Sequence, residues 1–98
     1  MTTQEFEVFV ACSARIGLKD DGYNVIGLCG EAGEVAEWVK KNVYRGDARF
    51  TNAMLLSELG DVLHYLTRLA LNHGFTLKDV MAENVLKITE RQMAKETT

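Results

Sequence analysis

Proline is absent from all 98 residues, so no imide interrupts the backbone hydrogen bonding of any segment. That absence removes the strongest helix breaker. Cysteine occurs only as Cys12 and Cys29, too few for a disulfide framework and without the CxxC spacing of a zinc site. Free thiols in a reducing compartment are the expectation. No apolar run approaches membrane-spanning length, and the opening MTTQEFEVF carries acids where a secretory leader carries bases. Positive charge is not in excess either: the formal net charge is -3, which excludes an overall basic footprint for DNA or RNA. These absences lead to the expectation of a cytoplasmic protein that partners neither a membrane nor a nucleic acid polymer.

What is present is a globular balance, 47% hydrophobic and 26% charged, in a length that suits one domain over residues 1–98. Phe6, Phe9, Val10 and Ile16 recur at a helical period and predict a first helix from about Thr3 to Ile16, with Thr2 and Glu5 at capping-box spacing. A second helix is expected from Asp21 or Gly22 to about Asn42, with Val25, Leu28, Val35, Val39 and Val43 on its apolar side. Gly46-Asp47 marks a turn in the main loop. The third helix, from about Asn52 to His73, is rich in leucine and stops at Gly74. The fourth starts at Thr76, whose spacing to Asp79 again fits a cap, and runs to about Ala94; Leu77, Val80, Met81, Val85 and Ile88 are its expected buried residues. The fold expected is all-α, an antiparallel four-helix bundle-like domain. So small a chain buries a modest core, which favours assembly into a homo-oligomer.

The stretch GLCGEAGEVAEW, residues 27–38, stands out because each interior glycine costs a helix roughly 1 kcal/mol against alanine. Glu31 and Glu34 lie three residues apart and so project from one side of the second helix. Glu58 and Asp61 repeat that spacing on the third. If the two helices pack side by side, four carboxylates converge, an arrangement that requires a compensating cation. Oxygen-only ligands suit Mg²⁺, or Mn²⁺ in its place. Glutamates at this spacing are also common on solvated faces, and any one pair has that plain reading. Glu58 and Asp61, however, sit among Leu55, Leu56, Leu59, Val62 and Leu63, a helix expected to be buried on several sides. Glu37 continues the series but is turned away. The glycines around Glu31 and Glu34 are expected to permit close approach of a facing helix or of the hydrated metal. A di-iron site would want Glu-x-x-His on two helices. Here only His64 stands near the acids, and it reads as a packing residue.

With these residues in view, GLCGEAGEVAEWVKK and LLSELGDVLHYLTRLALNHGFTLKDVMAENVLKITER resemble the MazG-like nucleotide pyrophosphohydrolases, in particular their short single-domain members. The resemblance spans residues 24–91 and keeps both acidic motifs in order. It implies hydrolysis of nucleoside triphosphates to monophosphate and pyrophosphate, with Glu31, Glu34, Glu58 and Asp61 as ligands of Mg²⁺. Longer relatives often begin the first motif with two adjacent glutamates; Gly30 stands where the first would be. The resemblance further implies that Asn84 and Lys87 help bind substrate, and that the chain forms homodimers or homotetramers. Arg91 shares their helical face, so all three form one candidate phosphate-binding edge, with a solvated face as the plain alternative. Trp38 follows Glu34 by four residues and Tyr65 follows Asp61 by four, so each can border a nucleotide, although aromatics at helical spacing also build cores. Lys40, Lys41 and Arg45 read as solvent-facing charge near a helix end. The function expected is Mg²⁺-dependent hydrolysis of nucleoside triphosphates to monophosphate and pyrophosphate, acting on deoxynucleotides, with nucleotide-pool cleansing as the role by analogy. Phosphoribosyl-ATP pyrophosphohydrolase and a helical interaction module without activity are the alternatives.

Overall fold

Each helix begins where the sequence supplies acceptors for its first backbone N–H groups. The structure, a computed structural model, describes residues 1–13 and 20–97. In α1 (Thr3–Ser13) the Thr2 hydroxyl accepts from the Glu5 N–H at 3.1 Å while the Glu5 carboxylate accepts from the Thr2 N–H at 3.0 Å. Asp20 caps α2 (Asp21–Val39) by accepting from Tyr23, and Thr51 caps α3 (Asn52–Asn72) by accepting from Met54. Thr76 and Asp79 exchange two hydrogen bonds, of 2.9 and 3.1 Å, at the start of α4 (Leu77–Thr97). Caps of this kind contribute about 1 kcal/mol each. The expected extension of the first helix to Ile16 lies outside the described residues.

The end of α2 departs from the expected continuation to Asn42. The helix loosens into one π-helical turn, Lys40–Tyr44, in which the Arg45 N–H reaches back five residues to the Lys40 carbonyl. Gly46, at φ 64°, then turns the chain, and Gly74, at φ 79°, ends the α3 region as expected.

The pairing of α2 with α3 is antiparallel, as four contacts along their length establish. At one end Asp21 accepts from the Asn72 amide and meets His73 Nε2 at 2.8 Å. Further along, the Tyr65 ring lies against Gly27, and Glu31 faces Glu58 and Asp61. At the far end the Trp38 indole N–H donates to the Thr51 carbonyl at 2.8 Å. Asn42 adds a 2.6 Å bond to the Phe50 carbonyl, which fastens the loop onto the helix end. Trp38 is only 7% exposed. Trp38→Phe is therefore expected to cost about 1–2 kcal/mol, since the Thr51 carbonyl loses its donor. A lowered urea midpoint with an unchanged slope would record it.

The other two helices attach at the opposite end of this hairpin. Val10 of α1, Thr67 and Ala70 of α3 and Leu77 of α4 are buried, and Glu7 accepts the Leu77 N–H at 2.7 Å. Beyond that joint α4 leaves the molecule: every residue from Val80 to Glu96 is exposed. Of the five residues expected to be buried there, only Leu77 is; Val80, Met81, Val85 and Ile88 are exposed. Val25 and Val43 of the second segment are likewise exposed, as are Leu56, Leu59 and Leu63 of α3. Helical periodicity identified the apolar faces correctly but does not say whether the same chain covers them. The described residues contain four α-helices and no strand, so the all-α fold is as expected.

Candidate metal centre

Glu31 on α2 meets Glu58 and Asp61 on α3 because the antiparallel register sets the middles of the two helices opposite each other. Within each helix the acidic residues share a side through their three-residue spacing. One carboxylate oxygen from each of Glu31, Glu58 and Asp61 lies within 4.8 Å of the others. Glu31 and Glu58 are partly buried and Asp61 is exposed, so the trio opens to solvent on one side. Glu34, expected as the fourth member, is exposed and its oxygens stand outside the trio.

The electrostatics of the trio test whether a cation fits. Burial, together with the nearby charges of Asp61, Glu58 and Glu34, holds the Glu31 carboxyl above the ordinary glutamate value of 4.5. Three anionic oxygens at this spacing match the hard-donor preference of a small divalent cation, which keeps water on its remaining positions. The donor set contains no sulfur or imidazole, which does not favour zinc or copper. His64, one turn on, packs edge-on against Phe9 and Tyr65 rather than joining the acids.

The raised Glu31 value has a definite sign. Protons compete with a cation for this carboxylate, so Mg²⁺ affinity is expected to fall as pH drops through the Glu31 pKa; calorimetric titration at a series of pH values would measure this. In the metal-free chain the folded pKa exceeds the unfolded one. Stability therefore falls as pH rises from 4.5 through the raised value.

Tyr65 borders this centre, though its first role is packing. Its ring crosses α2 at Gly27, where a Cβ would collide with three ring carbons. The buried Arg68 guanidinium lies 5.3 Å from the Tyr23 ring centroid and 5.6 Å from that of Tyr65. This Tyr23–Arg68–Tyr65 bracket clamps α2 to α3 one turn from the carboxylates, and the sequence reading missed it. Its signal was present: Tyr23 and Gly27 are one turn apart on α2, and Tyr65 and Arg68 one turn apart on α3. Burial and the neighbouring Tyr23 hydroxyl push the Tyr65 phenol up, and Glu31 adds to the shift, so the ring edge does reach the centre's electrostatic field.

The remaining candidates are not gathered here. Trp38, expected to border the nucleotide, is buried, and its N–H donates to the Thr51 carbonyl and so holds the loop. Asn84 and Lys87 line a separate open groove with Phe75, Asp79, Val80 and Glu83. Among the described residues no Cα of α4 comes within 8 Å of one on α2. Asn84, Lys87 and Arg91 are therefore not brought beside Glu31 by the packing of a single chain.

A family model described as the MazG nucleotide pyrophosphohydrolase domain matches residues 19–94. The "Gene 37 protein" of Mycobacterium phage L5 is 38% identical over 84 residues, covering 83% of this chain and 71% of that protein. No solved structure matches.

Proposed function

Because the chain belongs to the MazG nucleotide pyrophosphohydrolase family, and is thereby a hydrolase of phosphoanhydride bonds, we propose that its α2–α3 cleft converts (deoxy)nucleoside triphosphates to monophosphate and pyrophosphate with Mg²⁺. The observation that carries this reading is the convergence of Glu31, Glu58 and Asp61 from two helices, with Glu31 held above its ordinary pKa. These three carboxylates would hold the ion, and Mn²⁺ would substitute in the same donors. When bound, the ion supplies neutralisation of the phosphate charge.

The chain's own groups supply the rest. Glu34, outside the trio yet close enough to raise Glu31, orients the attacking water and accepts its proton. The water oxygen forms the new bond to phosphorus as the bridge between the α and β phosphates breaks, and pyrophosphate departs. Tyr65 borders the nucleotide, while Asn84, Lys87 and Arg91 hold phosphate within a homodimer or homotetramer. No helix among the described residues is long and apolar enough to cross a membrane, in keeping with a nucleotide-pool substrate.

A panel of ribo- and deoxyribonucleoside triphosphates run beside phosphoribosyl-ATP tests the substrate class. Pyrophosphate and monophosphate from one or more nucleoside triphosphates are expected. Turnover of phosphoribosyl-ATP alone, or of nothing, would overturn the reading.

A further inference from the structure

We propose that Arg68 is a positioning residue for the carboxylate trio. By holding the Tyr65 ring against Gly27 it sets the separation of α2 and α3 at Glu31, and so makes the centre favour Mg²⁺ over the larger Ca²⁺. The ion preference rests on the proposed metal centre; the packing behind it does not.

The bracket and the trio occupy neighbouring levels of one helix pair. Gly27 precedes Glu31 by four residues on α2, and Tyr65 follows Asp61 by four on α3. Because the helices are antiparallel, both steps run the same way, and the two levels lie about 6 Å apart. At the bracket the Tyr65 ring is itself the spacer between the helices, since a Cβ on Gly27 would run into three of its carbons. In the other direction the next tie is the Trp38–Thr51 hydrogen bond, seven residues from Glu31 on α2 and seven from Glu58 on α3. The bracket is the nearer of these two fixtures.

A ring keeps two helices at a fixed distance only if the ring is held, and Arg68 holds it. Its guanidinium carbon lies 5.6 Å from the Tyr65 centroid and 5.3 Å from that of Tyr23. The two rings stand 6.3 Å apart with 53° between their planes, and Arg68 is only 6% exposed. Burying a guanidinium gives up hydration that an apolar side chain would not lose, so its contribution here is to geometry more than to stability.

The spacing matters more to one ion than to the other. Mg²⁺ demands near-ideal octahedral geometry at about 2.0–2.1 Å, which puts neighbouring ligand oxygens about 3 Å apart; Ca²⁺ accepts oxygens at about 2.3–2.6 Å in flexible arrangements. The trio's oxygens lie within 4.8 Å of one another. Any parting of α2 from α3 therefore carries them away from what Mg²⁺ requires and toward what Ca²⁺ tolerates.

Calorimetric titration of chelator-stripped protein with Mg²⁺ and with Ca²⁺ tests this without reference to turnover. Arg68→Met is expected to weaken Mg²⁺ binding about tenfold and Ca²⁺ binding less than about threefold. The sign separates positioning from charge, because removing a nearby positive charge would by electrostatics alone tighten the binding of both cations. Tyr23 is half exposed, so its variants keep the fold and decide the matter if Arg68→Met does not fold. Tyr23→Leu is expected to lower the preference for Mg²⁺ over Ca²⁺ about threefold or more, and Tyr23→Phe, which keeps the ring, to retain it. Equal weakening of both ions, unchanged binding, or tighter Mg²⁺ binding in Arg68→Met or Tyr23→Leu would overturn the positioning role while leaving the proposed hydrolysis in place. A wild type that binds neither ion would overturn the trio as a metal centre, and the positioning role with it.

Discussion

Glu31→Gln is expected to raise the thermal midpoint of the metal-free protein while lowering pyrophosphate release by roughly 100-fold or more. The two effects have opposite signs because they have one cause. Glu31 is the most strongly crowded acid of the trio, with burial and three neighbouring carboxylates all opposing its ionisation. Without a cation that crowding burdens the fold at neutral pH, and an isosteric amide relieves it. With a cation the same crowding becomes ligation, which the amide cannot match. The gain in midpoint should vanish below the raised Glu31 pKa, where the wild-type carboxyl is already neutral. Differential scanning calorimetry in chelator, paired with a turnover assay in Mg²⁺, reads both signs. A variant that loses activity without any gain in metal-free stability would mean that the trio is not mutually repulsive.

Gly27→Ala is expected to destabilise the chain by about 1–2 kcal/mol, where a helix position normally gains from this change. A Cβ at Gly27 runs into the Tyr65 ring, and that ring cannot retreat freely. Tyr23 and the Arg68 guanidinium hold one side of it, and His64 meets it edge-on at 5.9 Å between centroids. Overpacking therefore exceeds the propensity gain, lowering the midpoint by roughly 4–8 °C per kcal/mol for a domain this size. Gly33→Ala supplies the contrast. It has open space around it, so the single chain should gain about 0.5–1 kcal/mol. Because Tyr65 spans the helices one turn from Glu31, Gly27→Ala should also weaken Mg²⁺ binding.

That contrast shows how far the sequence could be read. The caps at Thr2, Thr76 and Gly74 were legible because they depend on local hydrogen bonds and backbone angles. The meeting of Glu31 with Glu58 and Asp61 was legible because periodicity and antiparallel packing both required it. The glycines were legible only as a question. Close approach holds at Gly27, and the neighbour is a tyrosine ring; Gly30 and Gly33 face open space in the single chain. The burial of Trp38 was not legible because spacing to Glu34 gives a shared side of a helix, not what covers it. The Thr51 carbonyl is thirteen residues away and invisible to helical spacing. The exposure of α4 was hidden for the same reason, since an apolar stripe looks alike whether its own chain or another covers it.

The most direct test of the carboxylate trio as the hydrolytic centre is pyrophosphate release from a nucleoside triphosphate, first with Mg²⁺, then with chelator, then with Mg²⁺ restored. Monophosphate and pyrophosphate should appear in equal amounts, stop on chelation and resume on restoration, with Asp61→Asn silent throughout. Release that continues in chelator, or that survives Asp61→Asn unchanged, would contradict it.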